Sequence, residues 1–129
     1  MTRRPLVLIV DDEPSICWSL AEAFTEAGYD TVEATDAKQT LAWLSRRAAA
    51  DAVLLDLRIP DTHGFDLLTA IRAALPTCPV ILMTAHAPAD VKARALDAGV
   101  SHVVMKPFEL DRMVALTRRV LSAHQPTTV

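Results

Sequence analysis

The stretch LVLIVDDEPSI, from Leu6 to Ile16, contains five consecutive apolar residues, then three acidic residues and a proline. A short apolar run without alternation is typical of a strand buried on both faces of a parallel sheet. Pro14 is tolerated in the first turn of a helix, where its missing N–H has no partner to lose. The stretch therefore predicts a central strand that passes through an acidic loop into a helix.

The same arrangement recurs along the chain. Further short apolar runs occupy Ala52–Asp56, Val80–Thr84 and His102–Lys106, and a weaker one occupies Asp30–Ala34. Apolar residues at helical spacing fill the stretches between these runs, and one more such stretch begins at Leu110. Five alternations of strand and helix predict an α/β domain with a doubly wound, five-stranded parallel sheet in (βα)5 order.

Length and composition exclude several classes of protein. With 129 residues, 51% of them hydrophobic, the chain can form one globular domain with a buried core. Its apolar runs fall well short of the roughly 18–20 residues that a membrane helix needs, so no membrane partner is predicted. The run Leu6–Val10 is also too short for a signal peptide, and we therefore expect a cytoplasmic protein.

Charge and cysteine content exclude further functions. The net charge is −3 and no block of basic residues is longer than two, which predicts that this segment does not bind nucleic acid directly. Cys17 and Cys78 lack the spacing of metal ligands, and we expect both to be reduced and buried. After Ser122 the helical spacing stops, so the predicted domain is 1–122 and residues 123–129 are a linker or frayed tail.

Polar residues stand at the carboxyl ends of four predicted strands. Asp11 and Asp12 follow the first strand, Asp56 ends the third, Thr84 the fourth and Lys106 the fifth. In an open α/β sheet these ends meet at one edge, where ligands bind. Each residue has an ordinary explanation taken alone, as a helix cap, a strand end or a solvated charge. Their joint occurrence at one edge favours a site.

Three carboxylates at this edge require a cation. A like-charged pair 4 Å apart costs about 1 kcal/mol in bulk water and about 4 kcal/mol at an effective dielectric of 20. Carboxylate oxygens and water suit Mg²⁺ better than Zn²⁺. Beside such a metal, Asp56 can act as a nucleophile toward phosphorus. The resulting phosphoryl group would offer its oxygens to Mg²⁺, to the Lys106 ammonium and to the Thr84 hydroxyl.

Four segments resemble a known family: VLIVDDEPSI, LLDLRIPDTHGFDLL, VILMTAH and VVMKPF. They are similar to the signature segments of response-regulator receiver domains, the phosphoryl-accepting half of two-component signalling. The resemblance extends from about Leu6 to Leu121 and implies the flavodoxin-like, CheY-like form of the predicted fold. DDEPSICWSL and MTAH are most similar to receivers of the NtrC class, which control sigma-54-dependent transcription.

The resemblance implies a role for each matching acid. Asp56 would be the phosphorylation site and would take its phosphoryl group from a phosphohistidine of a sensor histidine kinase. Asp12 would bind Mg²⁺ directly, Asp11 largely through water, and Arg58 through its backbone carbonyl alone. The domain would then be a phosphorelay acceptor that supports its own phosphorylation and slow dephosphorylation, rather than an enzyme.

The resemblance also implies how the site responds. Lys106 would hold one phosphoryl oxygen, Thr84 would move inward to bond another, and the small Ala85 would leave the site open. The peptide before Pro107 would be cis. One position departs from the family: Val103 stands where many receivers carry the aromatic residue that turns inward with the threonine.

The remaining notable positions are not predicted to take part in the chemistry of the site. Pro60 and Gly64 match the family's loop after the acceptor. Trp18 and Trp43 are expected to serve packing or partner contact, and Met83 and Met105 to lie in buried strands. The four histidines lack metal spacing and are expected at the surface, at positions 63, 86, 102 and 124. His102 is expected to point away from the face that carries Val103.

Two alternative functions remain open at this point. A Mg²⁺-dependent phosphatase of the haloacid-dehalogenase type also uses an aspartate nucleophile, but it needs a second Asp at the place of Arg58. A stand-alone receiver could instead act through protein–protein interaction. The resemblance otherwise implies an output domain of the same chain or a partner protein, a phosphorylation-dependent homodimer, and a natural protein that continues beyond residue 129.

Overall fold

The computed structural model describes residues 3–46, 49–63 and 65–124. Strands and helices alternate from the first element to the last, as the sequence predicts. The strands are β1 (Leu6–Val10), β2 (Asp30–Ala34), β3 (Ala52–Asp56), β4 (Val80–Thr84) and β5 (His102–Met105). The helices are α1 (Pro14–Glu26), α2 (Ala37–Ser45), α3 (Asp66–Ala74), α4 (Ala89–Asp97) and α5 (Leu110–His124).

The five strands form one parallel sheet in the order β2-β1-β3-β4-β5. Every residue of β3 and β4 is buried, because both strands lie in the middle of the sheet with helices over both faces. Along β1, β3, β4 and β5, alternate residues contribute to two separate cores. Leu8 and Val10 belong to one core, while Val7 and Ile9 belong to the other. This arrangement confirms the predicted doubly wound fold.

Helix ends agree with local chemistry. Pro14 begins α1, at a position where a backbone N–H would have no partner within the helix, so the missing N–H of proline costs no hydrogen bond. Gly28 and Gly99 follow α1 and α4 with φ of 100° and 97°, a conformation that costs glycine little and that other residues rarely adopt. Among the helices in the described ranges, none is long and apolar enough to cross a membrane.

One prediction about burial is corrected, and the end of the last helix is defined. Met105 was expected in a buried strand, but its side chain is 47% exposed. The reason is that β5 lies at the edge of the sheet, where β4 is its one partner among the described strands, and its two end residues are open to solvent. Helix α5 also continues to His124, so residues 123 and 124 are helical; residues 125–129 of the predicted tail lie outside the described ranges.

Candidate functional site

The predicted polar residues meet at one edge of the sheet. Asp11 directly follows β1, Asp56 ends β3, Thr84 ends β4 and Lys106 directly follows β5. Parallel pairing in register brings these ends together, with Asp56 opposite Met83 of β4. The site therefore results from the sheet order, because residues up to 95 positions apart become neighbours.

Three carboxylates form the centre of this site. Asp11, Asp12 and Asp56 each offer an oxygen within 4.8 Å of the others. Asp11 and Asp56 are buried, whereas Asp12 is exposed. The cluster is thus open to solvent on one side, as an ion that keeps several water ligands requires.

Lys106 supplies one positive charge to the cluster. Its Nζ donates to Asp11 Oδ2 at 2.6 Å and to Asp56 Oδ2 at 3.3 Å. Burial by itself lowers the pKa of Lys106, but the hydrogen bonds and charges of the two aspartates outweigh burial and raise that pKa above its ordinary value. The ammonium therefore stays charged, and one positive charge faces three carboxylates.

Burial is the main influence on the pKa of Asp56, the candidate phosphoacceptor. It raises the pKa of Asp56 above its ordinary value, and the charge of Asp11 raises it further. The backbone N–H of Arg58 opposes this by donating to Asp56 Oδ1 at 3.1 Å. The Arg58 side chain is exposed, and the contact of this residue with Asp56 is made by its backbone N–H.

Thr84 is buried, but its hydroxyl is bonded away from the carboxylates. It donates to the carbonyl of His86 at 2.9 Å and accepts from the His86 N–H at 3.3 Å. The hydroxyl thereby holds the loop that leads to α4. Ala85 is exposed beside Lys106 and lines a groove of about 450 Å³ that opens next to the cluster.

The end of β5 has the features expected from its sequence. The peptide between Lys106 and Pro107 is cis. Val103 is half-buried and packs against the core that contains Leu82, while His102 is exposed and borders a groove beside α5. An aliphatic side chain therefore occupies the position where many receivers place an aromatic ring.

The remaining predicted positions are placed as follows. Trp18 is 62% exposed on α1, and Trp43 packs against the core. His63 and His86 are exposed, as predicted. Gly64 and the side chain of His124 lie outside the described ranges.

Two residues near the site were not predicted from the sequence to support it. The buried thiol of Cys17 donates to the Asp11 carbonyl at 3.3 Å, so it helps to hold a carboxylate's backbone. Asp61 accepts hydrogen bonds from the first turn of α2. The Cys17 contact spans six residues and depends on how α1 packs beside the end of β1, whereas the Asp61 contact joins residues 24 positions apart.

The donor set fits Mg²⁺. All nearby anionic ligands are carboxylate oxygens, one carboxylate is exposed, and one lysine does not balance three acids. Asp11, Asp12 and Asp56 would hold the ion, with the backbone of Arg58 next to them. Bound there, Mg²⁺ would neutralise charge on a transferring phosphoryl group.

Comparison with known proteins agrees with this geometry. Residues 7–118 match the response regulator receiver domain family. The chain is 37% identical over 123 residues to the DNA-binding transcriptional regulator NtrC of Salmonella typhimurium, an alignment that covers 95% of this chain and 26% of the relative. It is 41% identical over 117 residues to the transcriptional regulatory protein KdpE of Mycobacterium tuberculosis, covering 88% of this chain and 49% of the relative.

A solved receiver domain has a similar fold. The non-phosphorylated receiver domain of HemR from Leptospira biflexa has a TM-score of 0.87 and 31% identity, with 97% of this chain and 100% of that chain covered. Fold and site together define an α/β domain with a carboxylate cluster at the carboxyl ends of its strands. The chain belongs to the response regulator receiver domain family and is the receiver domain of a two-component response regulator.

The family sets the general context of the domain. Response regulators interact with sensor kinases and carry output domains, and receiver domains generally bind Mg²⁺ at an acidic pocket. The chain spans about a quarter of the length of the NtrC relative and about half of the KdpE relative.

Proposed function

We propose that this domain accepts a phosphoryl group on Asp56 with the help of Mg²⁺ and passes the signal on by a change of conformation. The observation that carries the proposal is the packing of Asp11, Asp12 and Asp56 around one point, with Lys106 bonded to the two buried acids. Two buried carboxylates beside a third, exposed one carry more negative charge than Lys106 can balance, which is costly unless a cation binds.

The transfer follows from the chemistry of the residues. A carboxylate oxygen of Asp56 attacks the phosphorus of a phosphohistidine on the sensor kinase; the new O–P bond forms, the N–P bond breaks, and its electron pair returns to the imidazole. Asp56 acts as an acceptor, and the domain does not turn over a separate substrate. On this proposal it is not an enzyme in the usual sense.

Two side chains, those of Lys106 and Thr84, must then change hydrogen-bond partners. Lys106 bonds Asp56 Oδ2 and Asp11 Oδ2, and it would transfer part of its bonding to a phosphoryl oxygen. The Thr84 hydroxyl would leave the His86 carbonyl to bond another oxygen. Releasing His86 would loosen the loop before α4, which offers a route for the signal that needs no aromatic ring at Val103.

The output forms the less specific part of the proposal. Similarity to NtrC and the segments DDEPSICWSL and MTAH support control of transcription through sigma-54, in a protein whose output domain follows the receiver unit at 1–122. Similarity to KdpE supports a transcriptional output without specifying that class. A phosphorylation-dependent homodimer and a cytoplasmic location belong to the same proposal, as does the expectation that this segment does not contact DNA.

The decisive experiment is intact mass spectrometry after incubation with a small phosphodonor and Mg²⁺. The wild-type domain should gain the mass of one phosphoryl group, and Asp56→Asn should gain none. Asp51→Asn is the matched control. Asp51 directly precedes β3, at the end of the strand opposite to Asp56, so this variant should still be phosphorylated. An adduct that persists in Asp56→Asn, or an unmodified wild type, would refute the proposal.

A further inference from the structure

The carboxylate of Asp61 joins two loops that are distant in sequence. Its Oδ1 accepts from the backbone N–H of Ala37 at 2.8 Å and its Oδ2 from that of Lys38 at 3.1 Å. Both donors lie in the first turn of α2, where N–H groups have no partner within the helix. Asp36, the helix's own cap, satisfies a different donor, the Gln39 N–H at 2.7 Å. One helix end is thus capped by a local and by a distant aspartate.

The loop that carries Asp61 begins at the phosphoacceptor. Directly after Asp56, the N–H of Leu57 bonds the Met83 carbonyl at 3.0 Å, and the N–H of Arg58 bonds Asp56 itself. Further on, Ile59 is buried, and its carbonyl accepts from the Thr62 N–H at 3.2 Å. Asp61 lies within that turn. The backbone at Arg58 is therefore held on both sides, by Asp56 before it and by the turn with Asp61 after it.

The other loop adjoins Asp11. The N–H of Asp11 bonds the carbonyl of Ala34, the last residue of β2, at 3.1 Å, and α2 begins three residues later at Ala37. A contact between Asp61 and α2 thus connects the backbone around Asp56 with the backbone that supports Asp11. The hydrogen bonds from Ala37 and Lys38 lower the pKa of Asp61, so this carboxylate stays ionised near neutral pH.

We infer that Asp61 is a positioning residue for the Mg²⁺ site, acting by fixing the loop after Asp56 to the first turn of α2. The inference rests on the proposed function, because it concerns the same metal. Asp61 is not among the acids that meet at the cluster, so it acts through the backbone of Arg58 and through the spacing between Asp56 and Asp11. Nothing in the family resemblance assigned it a role.

Loss of this contact should weaken Mg²⁺ binding. Removal of a group that orients a metal ligand typically lowers metal affinity 10- to 100-fold, and an indirect backbone effect belongs at the lower end, at about tenfold. Asp61→Ala removes both hydrogen bonds. Asp61→Asn keeps one carbonyl acceptor and loses the charge, so its affinity should lie between those of the wild type and Asp61→Ala.

The test is a Mg²⁺ titration of the whole chain followed by the amide shifts of Leu57 and Arg58 in two-dimensional NMR. The matched control is Asp36→Ala, which uncaps the same helix turn without touching the loop after Asp56. Both alanine variants should lower the melting temperature by a few degrees. Only Asp61→Ala should raise the dissociation constant for Mg²⁺, by about tenfold, while Asp36→Ala should match the wild type.

The outcomes separate this inference from the proposed function. If the wild type shows no saturable Mg²⁺ response, the proposed function fails and the inference fails with it. If the wild type binds Mg²⁺ and Asp61→Ala binds it equally well, or if Asp36→Ala weakens it as much, Asp61 is only a structural cap. Should Asp61→Ala not fold, Asp61→Asn decides: wild-type affinity in that variant would overturn the inference.

Discussion

The two ends of the sheet both pair aspartates with cations, but they differ in burial. At the carboxyl end, the side chains of Lys106 and Asp11 are 13% and 0% exposed. At the amino end, Arg3 forms two hydrogen bonds to Asp51, yet these side chains are 71% and 27% exposed. The same ion-pair chemistry therefore occurs in a poorly hydrated environment at one end and in a well hydrated one at the other.

The difference in burial changes the pKa values of the carboxylates. Burial raises the pKa of Asp56, whereas the hydrogen bond from Arg3 lowers the pKa of Asp51. At the amino end one cation satisfies one acid; at the carboxyl end one lysine faces three acids. The lesson is that burial, and not the type of ion pair, distinguishes the two ends: the carboxyl end retains an excess of negative charge beside a buried lysine.

The largest effect is expected for Lys106→Met. It removes the ammonium from two buried aspartates while keeping the apolar stem, and breaking a buried pair from one side should cost about 3 kcal/mol of unfolding free energy. Urea denaturation without Mg²⁺ measures this loss of unfolding free energy. The control Lys92→Ala, on the exposed side of α4, should have little effect. Equal losses in both variants would mean that the buried ion pairs of Lys106 contribute no more to stability than an exposed lysine does.

The next effect is the stabilisation by Mg²⁺. At a concentration 100 times the dissociation constant, binding to the folded state alone adds about 2.7 kcal/mol to the unfolding free energy. Asp12→Asn should abolish most of this gain with little change in metal-free stability, because Asp12 is exposed. Thermal denaturation with Mg²⁺ and with a chelator measures both. The amino end supplies the control: Asp51→Asn should retain the full gain.

A smaller effect is expected for Asp51→Asn itself. Asp51 accepts the Leu6 N–H at 2.7 Å, and weakening such bonds should cost about 1 kcal/mol at pH 7. Since the folded pKa of Asp51 is depressed, its stabilisation is present above the unfolded pKa of about 3.9 and is lost as pH falls through the folded pKa. Urea denaturation at several pH values should show the two proteins converging in acid. A difference that persists unchanged would contradict the ionic explanation.

The smallest effect is expected for Arg3→Ala. Exposed ion pairs contribute little because water and salt screen them and because ordering long side chains costs entropy. The urea midpoint should hardly move, in low or high salt. A loss as large as that of Lys106→Met would show that exposure does not distinguish the two ends.

Much of the fold could be predicted from local signals. The uninterrupted apolar runs of β3 and β4 indicated central strands, and Gly28 and Gly99 stand where helices end. The strand β5 has a similar apolar run, and its exposed Met105 shows the limit of this argument. Which strand lies at an edge depends on strand order, and local hydrophobicity does not encode that order.

The candidate site could be predicted from the sequence to about the same extent as the fold. Asp11, Asp56 and Lys106 were expected to meet because the ends of parallel strands share an edge, and they do. The support from Cys17 and Asp61 was not predicted. The Cys17 thiol reaches the Asp11 carbonyl because α1 packs beside the end of β1, and Asp61 bonds the backbone of α2, 24 residues earlier in the chain. Their chemistry is ordinary, and only their position makes it relevant.

The sequence by itself determined the elements and the inventory of the site. Apolar periodicity specifies strands and helices, and acids, a threonine and a lysine at strand ends specify where chemistry can occur. The tertiary structure decided which charges touch: Lys106 bonds Asp11 and Asp56, and the Thr84 hydroxyl bonds the loop before α4 instead. Hydrogen bonds act over about 3 Å, so these choices depend on packing that no local pattern contains.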